Sequence, residues 1–224
     1  EDERLLLDML ASHMGVALAG LEAMEEIKKA RDLQELMVHI ISHDLKNPLA
    51  VLSGYIDLMR EMPSEEFLDS MEQAIKEANE IIERARLFSK LGRKKIDEER
   101  EEINIREMME DIASKLLLKY PEGKIDIRME DVTMEGYPIL REVFVNLIEN
   151  AFKHGATEVL ITSREDGGMV EVRVADNGSG IPDEKKEEIF EPFKRLSSRK
   201  GSGLGLTIVK MIVELHDGEI WVEN

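Results

Sequence analysis

Apolar residues near the start of the chain recur at helical spacing. Leu10, Met14, Ala17, Leu21 and Met24 alternate four and three residues apart, the seam of a coiled coil or helical bundle. Leu33, Met37 and Ile40 resume that spacing nine residues after Met24, so the register slips across residues 27–31. Such a slip either lets a core stripe drift around the helix or marks a discontinuity that passes on a signal. The stripe continues through His43 and Leu52 to Met59. The segment Glu61-Met-Pro63-Ser64-Glu-Glu66 then breaks it, offering Ser64 as a fresh N-cap with acids in the first turn. Leu68, Met71, Ile75, Ala78, Ile82 and Ala85 form a second helical stripe. Two long helices joined by a short turn predict an antiparallel hairpin. Its apolar stripe is narrow, and a second copy completing a four-helix bundle is the economical way to bury it. A homodimer is therefore expected.

Beyond a charged linker at Gly92-Arg-Lys-Lys-Ile-Asp-Glu-Glu99 the pattern changes to mixed α and β. Helices are predicted over 105–120, 139–154 and 204–215. Strands are predicted over 124–129, 158–163, 169–175 and 219–222, with a hairpin turn at Glu165-Asp-Gly-Gly168. The expected fold class is α+β: a helical hairpin forming a dimeric four-helix bundle, then an α/β sandwich with helices on one face of a sheet. The predicted division is 1–30 as an N-terminal signalling helix, 31–95 as the dimerisation hairpin and 96–224 as a second domain.

Composition narrows the partners. The 224 residues carry a formal net charge of −18, which disfavours nucleic acid and anionic membrane surfaces, since both need clustered Lys and Arg. With no cysteine, disulfides and thiolate metal sites are excluded, and a reducing, cytoplasmic setting is the expectation. No apolar run reaches the roughly 18–20 residues of a spanning helix.

The candidate chemistry lies in four segments. In Ser42-His43-Asp44-Leu-Lys-Asn47-Pro48-Leu49 a histidine stands beside a carboxylate on a helix. A neutral imidazole attacks phosphorus through one nitrogen while the other holds its proton, and Asp44 can accept that N–H and fix the tautomer. A helical histidine beside an acid is also an ordinary surface pair. Pro48 cannot donate to the carbonyl of Asp44, so a bend is expected there.

Asn146 and Asn150 share a helix face with Lys153 and nearly His154. Amide oxygens suit Mg²⁺, and Lys153 would sit near phosphates. Taken by itself, this helix reads more readily as a polar, solvated face ending at Gly155, a natural C′ glycine. Asp176-Asn177-Gly178-Ser-Gly180 follows a strand, which leaves Asp176 where it can accept an adenine amino hydrogen and lets Gly178 and Gly180 bring backbone close to a ligand. Gly201-Ser-Gly203-Leu204-Gly205-Leu opens an apolar helix whose N–H groups can face phosphates. Between them, residues 182–200 carry Lys194, Arg195, Arg199 and Lys200 and read as a lid anchored by Phe190 and Phe193, or as a solvated linker.

In order and spacing these segments resemble the sensor histidine kinases of two-component signalling, over about residues 31–224. Ser42–Leu49 is similar to the family's H box and Asn146–His154 to its N box. Asp176–Gly180 and Gly201–Leu206 are similar to its two glycine boxes, and Phe190–Phe193 to its F box. The resemblance implies an ATP- and Mg²⁺-dependent kinase with His43 as phosphoacceptor and Asp44 as its acid–base partner. It implies Asn150 as the Mg²⁺ ligand, with Asn146, Lys153 and His154 near the phosphates, and Asp176 as the adenine reader. Gly178, Gly180, Gly201, Gly203, Leu204 and Gly205 would border the nucleotide, and Arg195 would touch the γ-phosphate. Asn47 matches the position implicated in dephosphorylating the response regulator, whose receiver domain is the implied partner.

The family more often has Glu after the histidine, and it usually carries a further strand or two beyond the point matching Asn224. Residues 5–21 look like the exit helix of a GAF-type sensor domain. Two other readings stand beside the kinase: an ATPase clamp of the gyrase and chaperone type, and a non-catalytic dimeric scaffold. The clamp relatives have a glutamate where Asn146 stands, and an amide cannot act as that base.

Overall fold

The computed structural model of the chain describes residues 13–21, 23, 24, 27, 28, 31, 38, 44–92, 99–191 and 204–223. It divides into two compact units, Glu1–Gly92 and Arg93–Asn224.

In the first unit, residues 13–21 are helical, and Met14, Val16, Leu18 and Leu21 are exposed along them. Asp44 lies in a π-type turn and Leu45 in a turn, and α1 (Lys46–Glu61) follows them. The break falls where the proline demands it. Pro48 occupies the first turn of α1, where a missing N–H is tolerated, and the Leu49 N–H reaches the Leu45 carbonyl at a stretched 3.4 Å.

Helix α1 closes with the Met62 N–H donating to the Leu58 carbonyl at 2.8 Å, and α2 (Glu65–Gly92) starts with Glu65 and Glu66 at its positive end. The rings of Tyr55 and Phe67 meet at 5.6 Å beside the turn. Ala74, Ala85, Phe88 and Leu91 are buried on α2. Leu49, Ile56, Leu68, Ile75 and Ile82 are left 38–50% exposed, so one hairpin covers only part of its own stripe.

The second unit is built on two small sheets. β1 (Glu101–Asn104) pairs antiparallel with β3 (Thr133–Gly136). β2 (Lys124–Arg128), β4 (Glu158–Asp166) and β5 (Met169–Asp176) form a sheet of order β2-β4-β5, parallel then antiparallel. Neither β1 nor β3 is expected from sequence, because each spans four residues with one buried position, too few to show alternation. The turn joining β4 to β5 does match expectation. Gly167 and Gly168 have φ of 61° and 85°, the pair of positive angles a two-residue hairpin requires.

Among the described residues, three helices pack on the sheets. α3 (Ile105–Lys119) is capped by Asn104, whose side chain accepts from the Glu107 N–H at 3.0 Å. It buries Ile105, Met109, Ile112 and Leu116 at four-three-four spacing. α4 (Arg141–Lys153) follows a 3₁₀ turn at Pro138–Leu140 and buries Val143, Phe144, Ile148 and Ala151. It ends in a Schellman motif. Gly155 has φ 96°, Ala156 N–H reaches the Ala151 carbonyl and Gly155 N–H the Phe152 carbonyl. α5 (Gly205–Leu215) buries Ile208, Val209 and Ile212 completely, each worth about 1.5–3 kcal/mol of apolar burial. In β4, Val159 and Ile161 face one side and are buried, which is the side the helices cover.

One expectation fails here. Residues 219–222 form no strand, and Trp221 is 54% exposed. A strand exists only through ladder bonds to a neighbour, and among the described residues no ladder pairs this segment with β5; just beyond it, Glu223 lies 3.9 Å from Arg173 of β5.

Candidate functional site

The N-terminal end of α5 and the middle of α4 meet where the second glycine motif crosses the asparagine face. The Nδ2 of Asn146 donates to the Glu142 carbonyl of its own helix at 2.8 Å, which fixes the amide with Oδ1 facing away. A Cβ added to Gly205 would lie 3.1 Å from that oxygen and 3.9 Å from Asn150 Nδ2. Glycine is favoured here by close approach, since a side chain would force its neighbour to give by a few tenths of an ångström. Leu204, just before the helix, is fully buried and anchors the junction. Close by, Thr207 buries its hydroxyl with no hydrogen-bond partner among the described residues, an orphan of the sort that a ligand or a water satisfies.

The end of β5 supplies a second wall. Asp176 is exposed, and its Oδ1 accepts from the Gly178 N–H at 2.7 Å. Gly178 packs against Ala156, which a Cβ at position 178 would approach to 3.7 Å, so the turn after α4 and the turn after β5 are in contact. Gly180 has φ 67°, a left-handed backbone that suits glycine.

Asn177, which reads in sequence as an ordinary turn residue, ties the two turns together. Its Oδ1 accepts from the N–H groups of Thr157 and Glu158 at 2.9 and 3.0 Å, and its Nδ2 donates to Thr157 Oγ1 at 3.0 Å. A side chain reaching back across twenty residues leaves no trace in spacing.

Lys153 does not stand alone at the end of this face. Its Nζ lies 2.6 Å from Oε2 of Glu149, and Oε1 of the same carboxylate meets Lys119 Nζ at 2.8 Å. The Glu149 side chain is 11% exposed. Burial opposes its ionisation, yet the two ammonium groups outweigh that and hold its pKa below the ordinary carboxylate value. The Glu149–Lys153 pair is legible as a four-residue spacing; Lys119 comes from another helix and is not. His154 caps α4 and is exposed.

Of the segment at 182–200, the described part is ordered into 3₁₀ turns at Asp183–Lys185 and Glu188–Phe190, with Ile189 and Phe190 buried against α5. Phe190 is thus buried where it is expected to anchor the segment, and residues 192–200 lie outside the described residues. Arg195 and Phe193 lie outside the described residues, as do His43, Gly201 and Gly203. In the first unit, Asp44 is buried and Asn47 is exposed on the first turn of α1.

Comparisons with known proteins match both halves. Residues 33–94 match the family described as "His Kinase A (phospho-acceptor) domain". Residues 135–224 match "Histidine kinase-, DNA gyrase B-, and HSP90-like ATPase". The chain is 30% identical to sensor histidine kinase YcbM of Bacillus subtilis over 243 residues, covering all of this chain and 78% of that one. It is 31% identical to cyanobacterial phytochrome B of a Nostoc species, across 97% of this chain but only 32% of the relative's length. The solved histidine kinase AdeS of Acinetobacter baumannii shares the fold with a TM-score of 0.65 at 19% identity, over 77% of this chain and 86% of that one. Among the described residues, no helix is long and apolar enough to cross a membrane. With a phospho-acceptor module followed by an ATP-binding module, and a relative matched along most of its length, the chain belongs to the sensor histidine kinases.

Proposed function

We propose that the protein is an ATP-dependent histidine kinase that phosphorylates its own His43 and passes the phosphoryl group to an aspartate in a response regulator's receiver domain. The apposition of Asn146 and Gly205 carries this reading. Two neutral amides face the N-terminal end of α5, where N–H groups and the positive helix end favour phosphates. An amide at Asn146 takes up no proton from water, so the site favours transfer over hydrolysis.

The residues present fit an adenine nucleotide. The gap at Gly205 is one a Cβ would fill, and Thr207 offers an orphaned hydroxyl nearby in the same helix. Asp176 has Oδ1 engaged by Gly178, and Oδ2 serves to accept the adenine amino hydrogen. Gly178 and Gly180 keep the wall beside the base free of side chains, while Gly201, Gly203, Leu204 and Gly205 form the phosphate-facing turn. Asn146, Lys153 and His154 border the phosphates, and Arg195 contacts the γ-phosphate during transfer. Mg²⁺ would be held through the Asn150 amide oxygen, where it would offset the charge of the phosphates.

His43 attacks as a neutral imidazole. A bond forms from one ring nitrogen to the γ-phosphorus as the bond from that phosphorus to the β–γ bridging oxygen breaks. Asp44 accepts the N–H of the other nitrogen, holds the tautomer and stabilises the charge that develops. Asn47, exposed one turn after His43, is suited to orient water in the regulator-dephosphorylating reaction. The uncovered stripe of Leu49, Ile56, Leu68, Ile75 and Ile82 supports a homodimeric four-helix bundle. A kinase that draws on ATP and serves receiver domains works in the cytoplasm.

The test is incubation with γ-labelled ATP and Mg²⁺. The label should be acid-labile and map to His43, and His43→Gln should remain unlabelled while still binding nucleotide. Labelling of His43→Gln at the unsubstituted rate overturns the assignment.

A further inference from the structure

Glu149 is a nearly buried carboxylate held by two ammonium groups, one from each of two helices. Lys153 is the last residue of α4, and Lys119 the last of α3. Both bonds are short, 2.6 Å to Lys153 and 2.8 Å to Lys119, and each uses a different carboxylate oxygen. Lys153 lies on the helix face of Asn146 and Asn150, so reaching a phosphate requires it to leave Glu149.

A single counter-charge would make that departure costly. A carboxylate 11% exposed and stripped of its only cation loses its compensation while still shielded from water. With two cations, Lys153 can leave and the Glu149–Lys119 pair stays neutral. Lys119 has reasons of its own to stay: its Nζ also lies 5.8 Å from the centre of the Tyr120 ring, within cation–π range.

We propose that Lys119 is a positioning residue for nucleotide binding: it holds the charge of Glu149 so that Lys153 can be exchanged from Glu149 to the phosphates. This rests on Lys153 being a phosphate contact, as proposed above.

The experiment is equilibrium binding of a Mg²⁺-bound non-hydrolysable ATP analogue, and of adenosine, to the whole chain. Lys119→Met should weaken binding of the triphosphate roughly tenfold or more and leave adenosine unchanged. Lys119→Arg, which keeps the charge, should keep the affinity. Adding Glu149→Gln to Lys119→Met should restore it, because an amide no longer retains Lys153. In a Lys153→Met background, Lys119→Met should have no further effect.

Equal losses for adenosine and triphosphate, a failed rescue by Glu149→Gln, or additive losses in the Lys153→Met background each overturn the exchange. If Lys153→Met itself leaves triphosphate affinity unchanged, the phosphate role of Lys153 falls and the exchange falls with it. If Lys153→Met weakens binding and Lys119→Met does not, only the exchange is lost.

Discussion

Asn146 Oδ1 faces Gly205 at 3.1 Å from where a β-carbon would stand, and this contact sets how closely α5 can approach α4. Asn146 cannot swing aside freely, because its Nδ2 is bound to the Glu142 carbonyl. Gly205→Ala should therefore displace the start of α5 or the Asn146 side chain by a few tenths of an ångström. Nucleotide affinity should fall about tenfold, the scale of one imperfect polar contact, while far-UV circular dichroism is unchanged. Unaltered affinity would show that this approach does not matter to the site.

Asn177 satisfies two backbone donors and one hydroxyl between β5 and the turn after α4. Asn177→Ala should lower stability by about 1–3 kcal/mol, the cost of leaving such groups without their partner. Asn177→Asp keeps an acceptor for both N–H groups and should lose less. Urea denaturation of the two variants distinguishes them, and equal losses would assign the effect to something other than acceptance.

His216 joins α5 to β3. Its Nε2 accepts from the Tyr137 N–H at 2.9 Å, so the ring proton sits on Nδ1, which donates to the Ile212 carbonyl at 2.7 Å. Gly136 leaves room for the ring, since a Cβ there would come within 3.2 Å of it. His216→Ala should cost about 1–3 kcal/mol by orphaning the Tyr137 N–H. Gly136→Ala should also destabilise, and combining the two should cost less than their sum because the clash is removed with the ring. Strict additivity would refute this coupling.

Asp111 on α3 accepts from Lys115 at 2.8 Å and pairs with Arg141 of α4 at 2.5 Å. First Lys115 and then Arg141 hold its carboxyl below the ordinary aspartate value. The folded state therefore binds fewer protons than the unfolded chain just below that value. The pair's contribution is complete above the unfolded pKa, about 3.9, and is lost as pH falls through the folded one. Carboxyl NMR titration should find Asp111 below the usual range, and Arg141→Gln should raise it. An unchanged midpoint would remove Arg141 as a cause.

The helices of both units are legible from apolar spacing, because burying one helix face imposes a local period that neighbouring residues report. The break before α1 follows from Pro48, and the turns at Gly155 and Gly167-Gly168 from residues that tolerate positive φ. The short strands β1 and β3 escape notice because four residues with one buried position carry no period. The segment at 219–222 alternates like a strand, but pairing depends on a neighbour that local sequence does not contain.

The sequence by itself determined which residues are candidates for the chemistry: the asparagine face, the carboxylate that ends β5 and the glycine turns, each written in short local segments. Only the tertiary structure decided how these are held. Asn177 bridging to Thr157, His216 bridging to Tyr137, and Lys119 sharing Glu149 with Lys153 all join segments 20 or more residues apart. Hydrogen bonds and charge pairs of this kind depend on distance in space, and distance along the chain does not report it.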